Sequence, residues 1–334
     1  MDFGPVPLTE AEGAILAHSR MLGGRKLSKG HQLTATDIAA LAAEGVARLI
    51  VARPAPGDLG EDAAAERLAA ALVPDEAAAG LSRTTAFTGR VNLKATGPGL
   101  VDLDPAAILA LNRIDPAITL ATLAPLTRVA KGTLVGTVKI IAYAVDAASL
   151  AAAEDAARDA LRIHPVQCRS AGLLLTEVPG QAAKLNAKAR EVTARRLRAL
   201  GMDLAGVVSV AHEADAIAAA LPALPGDIVL ILTGSATSDL HDTGPEGVRA
   251  AGGSVARFGM PVDPGNLLFL GQLGARPVIG LPGCARSPAL NGADWVLERL
   301  ACGIEVTGDD LAMMGVGGLL KEIPIRPQPR EREA

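Results

Sequence analysis

The spacing of apolar positions changes character part-way along the chain. Up to about residue 145, short apolar runs are cut by glycine and proline, the pattern of short strands joined by tight turns. FTGRVNLKA, GLVDLD, ITLATL and GTLVGTVKIIAYAV alternate or run apolar as strands do. KGHQLTATDIAALAAEGVARLIVARP reads as a turn, a helix capped by Thr36 or Asp37 and stopped at Gly45, then a strand over 47–52. GEDAAAERLAAALV predicts a helix with acidic residues at its positive end. The alanine-rich 147–163 predicts a helix connecting a mixed α+β N-terminal domain, 1–146, to a second domain, 164–320. There the pattern becomes regular. Strand-like VQCRSAGLLLTEV, LAGVVSV, DIVLILTG, GSVARFGMPV and RPVIGLPG alternate with helical KLNAKAREVTARRLRALG, HEADAIAAAL, PEGVRAAGG and SPALNGADWVLERLA. That alternation predicts an α/β domain built on a doubly wound, mostly parallel sheet with helices on both faces. Residues 321–334 form a proline-rich, charged tail.

Composition narrows the classes of function. The 334 residues are 49% hydrophobic and 20% charged, enough to build proper cores. Aromatics make up 2%, which argues against a single-strand nucleic-acid binder working by base stacking. A net charge of −4 with scattered cations argues against a broad phosphate-backbone footprint. No stretch reaches the ~18 apolar residues of a membrane span, and the first residues show no signal-peptide pattern. Three widely separated cysteines without a CxxC fit a reducing, cytoplasmic setting and no structural zinc.

The standard catalytic signatures are missing. There is no GxxxxGK[ST], no GxGxxG between strand and helix, no HExxH and no GxSxG, and His18, His31, His164, His212 and His241 lack metal-ligand spacing. Three glycine-containing polar loops remain. In ILTGSATSDLHDTGPEG, Gly234 lets the backbone approach a ligand, and Thr233, Ser235, Thr237 and Ser238 add hydroxyls. Asp239 and Asp242 follow, with Pro245 placed to open a helix. VIGLPGCARSPAL sets Pro282, Gly283, Cys284, Arg286 and Ser287 after a strand and before a helix, and MPVDPGNLLFLGQLG carries Pro264, Gly265 and Asn266. Such loops at strand ends suit a small anionic ligand. The same residue types also serve as ordinary turn and cap residues, and that alternative stays open on local grounds. Cys284 beside a helix N-terminus would have thiolate character, or serve as a small spacer. Lys94 and Lys139 could reach a partner, and Tyr143 and Trp295 read as packing residues.

In this order and at these separations, the three loops resemble the molybdopterin-binding domain shared by molybdopterin adenylyltransferases and molybdopterin molybdenumtransferases. Gly234 and Asp242 keep the family spacing of eight residues, Pro245 matches its proline, and Asn186 matches the asparagine that opens its first helix. His212 and Glu213 fall where the family has an acidic pair. The resemblance covers about 165–310, and 23–54 is similar to the stretch preceding that domain in the molybdenumtransferases; 55–145 match nothing, and the DGxA element of those enzymes is absent. Two departures stand out. The KPGKP turn is Asp263-Pro264-Gly265-Asn266 here, without lysines, and in LPGNPxS the asparagine and second proline are Cys284 and Ala285, with Arg286 supplying one cation.

The resemblance implies a molybdopterin ligand held by the three loops and Asn186. It also implies a role for Asp242 in positioning Mg²⁺ or the reacting phosphate, possible use of ATP, and a homo-oligomer that meets molybdoenzymes or other cofactor-biosynthesis proteins. Two functions follow from it: a transferase that activates molybdopterin with a nucleotide or inserts molybdate, or a non-catalytic carrier of molybdopterin. A doubly wound protein binding another phosphorylated small molecule is the third reading.

Overall fold

The computed structural model describes residues 1–180 and 183–320, so the tail read at 321–334 lies outside the described residues. The chain divides into two compact units, one of residues 1–97 and 101–163, the other of 98–100 and the chain from His164 onward.

The first unit has two apolar cores. In the smaller, strands Asp2–Pro7, Ile15–Leu16 and Arg48–Arg53 form an antiparallel sheet, and helix Ala35–Ala43 adds Leu41 to a cluster with Leu8, Leu33 and Val51. The cap of this helix is neither of the residues expected. Thr34 is the N-cap and Asp37 is its capping-box partner, accepting the Thr34 N–H at 3.0 Å and hydroxyl at 2.7 Å. Asp37 is buried and also meets His31 Nε2 at 2.8 Å and Arg25 at 3.2 Å; the His31 and Thr34 hydrogen bonds hold its carboxyl far below the usual range.

The larger core has a four-stranded sheet in the order Ile118–Thr122, Leu134–Ile140, Arg90–Ala95, Leu81–Arg83. Helix Glu61–Leu72 buries Ala64, Ala65, Leu68, Ala69 and Leu72 in this core, one face of a 3.6-residue period. Helix Pro105–Ile114, capped by Asp104 with proline at its first position, escaped the sequence reading because its apolar run is short. The helix expected over 147–163 is helical only as Ala147–Ala156. It buries Leu150 and Ala153 in the core of the first unit, and the chain resumes as strand Leu161–Pro165. Lys139 turns its ammonium onto the Thr88 carbonyl, and the Tyr143 hydroxyl donates to the Ala17 carbonyl at 2.9 Å.

The second unit is the doubly wound domain. Its elements are β1 (Ser170–Glu177), α1 (Ala183–Arg198), β2 (Asp203–Ala211), α2 (Ala214–Ala220), β3 (Ile228–Leu232), α3 (Thr243–Ala250), β4 (Ser254–Phe258), β5 (Phe269–Leu273), β6 (Arg276–Leu281), α4 (Gly292–Ala301) and α5 (Gly308–Met313). The sheet order is β2-β1-β3-β6-β5-β4. β2, β1, β3 and β6 are parallel, while β5 is antiparallel to both its neighbours. Alternate residues of a strand enter different cores. Leu173, Leu230 and Ile279 pack with Leu197 of α1 and Val296 of α4; Leu174, Ile231 and Val278 pack with Ile217 of α2 and Val248 of α3. Both faces of the sheet are therefore covered, and β3, IVLIL, is buried at every position. β2, an edge strand, is not. Gly280 of β6 lies against the Phe269 ring with no room for a Cβ, so the bulk of one strand fills the space left by its neighbour. Among the described residues no helix is long and apolar enough to cross a membrane.

Candidate functional site at the carboxyl rim of the sheet

Strand direction puts all three loops on one rim. β3 and β6 run parallel and end at Leu232 and Leu281, which are paired in register. β4 pairs Phe258 with Phe269, and Phe269 pairs with Gly280, so the connection from β4 to β5 turns on the same rim. The loops differ in what they do there.

The turn after β3 is anchored by its neighbours. The Gly234 N–H donates to Thr176 Oγ1 of β1 at 2.7 Å, and Thr176 Oγ1 lies 2.8 Å from His212 Nδ1. The carbonyl of buried Thr233 accepts from Arg286 at 2.8 Å, which ties the β3 and β6 loops together. Ser235, Ser238 and Asp239 are exposed, and Thr237 is buried. The N–H groups of Ser235, Ala236 and Thr237 take no partner among the described residues. Consecutive open N–H groups of this kind favour an anion.

Asp242 is the N-cap of α3. One carboxylate oxygen accepts from the Thr243 N–H at 2.7 Å, the other from the Ser238 N–H at 2.8 Å and the Ser238 hydroxyl at 3.3 Å. Burial pushes the carboxyl up, but the hydrogen bonds from Ser238 and Thr243 and the nearby His212 outweigh it, so Asp242 titrates below its ordinary value. Asp239 accepts from the His241 N–H at 2.8 Å, and His241 pairs with Glu246 at 2.9 Å. Helix α3 begins two residues before Pro245, because the Asp242 cap and not the proline starts it. Among the described residues no three His, Cys, Asp or Glu side chains gather where they could hold a metal ion. Asp242 therefore offers a cation one carboxylate whose oxygens already accept hydrogen bonds.

The β6 loop forms a short 3-10 turn, Gly283–Arg286, capped by Pro282. Gly283 and Cys284 are exposed. Cys284 does not stand at a helix N-terminus as expected, because α4 starts only at Gly292, behind the Asn291–Asp294 capping box. Arg286 is half-buried, and its Nε is buried with no hydrogen-bond partner among the described residues. Burial pushes its guanidinium pKa down. An anion at this point would satisfy both the charge and the orphaned donor. The loop is braced by Arg196 of α1, which donates to Asp294 at 2.6 Å, the Ala285 carbonyl at 2.5 Å and the Ser287 carbonyl at 2.7 Å. Nothing in the local pattern of α1 singles out Arg196, which sits in a run of basic residues that reads as a solvated face.

The Asp263–Asn266 turn is a packing device. The Pro264 carbonyl accepts the Gly292 N–H at 2.8 Å at the start of α4. Gly265, at φ 146°, lies so close that a Cβ would stand 2.7 Å from the Gly292 nitrogen. Asn266 and Met260 exchange backbone and side-chain hydrogen bonds. None of Pro264, Gly265 and Asn266 hydrogen-bonds to the Thr233–Asp242 turn or to Arg286 among the described contacts. The turn stands at the ends of β4 and β5, across β6 from that site.

Asn186 lies in the first turns of α1. Its Nδ2 donates to Glu177 Oε1 at 2.8 Å, and its Oδ1 is buried without a partner among the described residues. The residues absent from the sequence-based set are Thr176, His212 and Arg196. Thr176 had no sequence signal, being one threonine in an apolar strand, whereas His212 was noted with Glu213 only for falling where the resembling family has an acidic pair.

A family model described as a domain of unknown function, DUF8806, matches residues 5–53. No curated protein matches the chain. Among solved structures, the molybdopterin biosynthesis MoeA protein from Pyrococcus horikosii is similar, at 13% identity and a TM-score of 0.30 over 91% of this chain and 76% of that one. An overlap so loose transfers no residue role.

Proposed function

We propose that the carboxyl rim of the second unit binds molybdopterin, and that the protein acts in molybdenum cofactor biosynthesis. The observation that carries the reading is the joining of two of the resembling loops in one place. Arg286 bonds to Thr233 beside the open N–H groups of 235–237, and its own buried Nε has no acceptor among the described residues. The order of TGSATSDLHD, DPGN and LPGCARS along the chain supports molybdopterin as the anion. The matching aspartate, Asp242, supports a transferase, which would need Mg²⁺ and a nucleotide or molybdate.

A specific observation favours carriage without catalysis. Both Asp242 oxygens are engaged in capping α3 and tying down Ser238, and the turn that has two lysines in the resembling family packs here on α4. Electrostatic stabilisation of a transferring group needs preorganised charge, and Arg286 is the cation that the loops supply.

The test is to purify the protein, oxidise bound pterin to a fluorescent product, and compare wild type with Gly234→Asp and Asp242→Ala. Pterin in wild type and its loss in Gly234→Asp are expected; no signal even after incubation with added molybdopterin overturns the reading. Consumption of Mg-ATP in the presence of molybdopterin, abolished in Asp242→Ala, separates transferase from carrier.

A further inference from the structure

The winding of the second unit's sheet reverses next to β1: the chain passes first to β2 on one side, then to β3 on the other. Open α/β sheets bind ligands in the crevice at such a reversal, beyond the carboxyl ends of the strands. Here that crevice lies between β1 and β3, and fully buried Thr176 bridges it through Gly234. His212 follows β2 directly, and its own N–H donates to the Glu177 carbonyl at 3.0 Å. One hydrogen-bonded chain therefore laces the ends of three adjacent strands.

The protons in this chain can be assigned. Thr176 Oγ1 accepts the Gly234 N–H, so that lone pair is taken. The hydroxyl proton has one acceptor within reach among the described residues, Nδ1 of His212 at 2.8 Å. If Nδ1 carried the proton instead, the threonine hydroxyl would be a buried donor with no acceptor among the described residues, an arrangement that costs the full desolvation of the group. The neutral ring therefore carries its proton on Nε2. That N–H takes no partner among the described residues, and the ring is half-buried, so its donor is held in place and open. Asn186 adds an independent sign of ligand binding at this end of β1: while bonded to Glu177, it keeps a buried Oδ1 without a partner among the described residues. Asp242 at the cap of α3 interacts electrostatically with His212, Glu177 meets its N–H through the backbone carbonyl, and Glu213 is next in the chain.

We propose that Thr176 is a positioning residue and His212 a binding residue of the rim site. Thr176 fixes the Gly234 peptide and the ring tautomer, and His212 presents Nε2–H to an oxygen of the bound phosphorylated pterin. The assignment deepens the rim-binding reading and rests on it for the ligand, though not for the tautomer or the Gly234 peptide.

Two measurements on the ligand-free protein come first. Ring ¹⁵N shifts of neutral His212 are expected to show the Nε2–H tautomer, and the Gly234 amide to exchange slowly. Thr176→Val should speed that exchange at least about 10-fold, the worth of one buried hydrogen bond, with Thr176→Ser restoring it. An Nδ1–H ring, or Gly234 exchange unchanged in a folded Thr176→Val, overturns the positioning role.

The binding role is read with a phosphorylated pterin by fluorescence. His212→Asn keeps an acceptor for Thr176 but cannot reach as Nε2 does. It is expected to leave Gly234 protected while weakening binding about 10-fold or more, as for a hydrogen bond to an anionic oxygen, with His212→Gln recovering part of the loss. Wild-type affinity in His212→Asn overturns the binding role. If wild type itself ignores the pterin, both the rim reading and the role of His212 as ligand donor fall, and the exchange and tautomer data still decide the role of Thr176.

Discussion

The turns over 233–242 and 263–266 are built from the same glycine, proline, aspartate and small polar residues, and they stand on the same rim of one sheet, yet they do opposite work. In the first, backbone donors at 235–237 stay open and a half-buried arginine lacks one acceptor among the described residues. In the second, the Pro264 carbonyl and the bare Gly265 backbone are pressed onto the start of α4. The difference lies in what each turn meets. A helix start that approaches within van der Waals contact consumes polar backbone groups; a crevice where the winding reverses leaves them open.

Breaking the brace behind the β6 loop gives the largest expected effect. Arg196→Ala leaves Asp294 with its partner gone, both side chains being little exposed, and should cost about 3–5 kcal/mol of stability by denaturant titration. A loss below about 1 kcal/mol would mean that the pair behaves as a surface ion pair. Gly265→Ala comes next. It forces a Cβ onto Gly292 at a φ that L-residues avoid, which should cost about 1–3 kcal/mol. Per folded molecule, pterin binding should stay unchanged, and a selective loss of binding would make the second turn a ligand loop after all.

Arg286→Gln inverts that pattern. Stability should move little, because removal of an orphaned buried Nε offsets loss of the bond to the Thr233 carbonyl, while affinity for a phosphorylated pterin should fall by about 1.5–3 kcal/mol, the range for a hydrogen bond to a charged group. Equal binding by the variant would remove the cation from the site. The smallest effect belongs to pH. The Asp242 carboxyl titrates below its ordinary value when folded, so the stability it contributes is fully present above about pH 4, the unfolded range, and is lost as pH falls through the lower folded value. Protection of the Ser238 and Thr243 amides, taken relative to the intrinsic exchange rate at each pH, should therefore stay flat from neutrality down to about pH 4 and fall below it, whereas protection in Asp242→Asn should be lower throughout, the cap being worth ~1 kcal/mol.

Much of the second unit was legible along the chain. IVLIL has five apolar residues because β3 is covered on both faces, and KLNAKAREVTARRLRALG carries a helical period that ends in glycine. Gly234, Asp242 and Arg286 could be picked out as small, acidic and basic residues set at strand ends. The first unit was less legible: Thr34 and not Thr36 or Asp37 caps its helix, and 147–163 splits into a helix and a strand. An apolar face reports what it packs against only once the partner is known, and two threonines and an aspartate near a helix start compete for the cap until backbone geometry chooses one.

Periodicity and turn chemistry by themselves determined that a wound sheet would form from about residue 165 and that its loops would hold glycines and hydroxyls on one rim, because these depend on neighbours in the chain. Tertiary structure alone decided which loop stays open. Thr176, His212, Gly234 and Arg286 come from segments up to 110 residues apart and meet only because β2, β1, β3 and β6 lie side by side with their ends in register. A hydrogen bond depends on distance and direction in space, and neither is written in the spacing of residues along the chain.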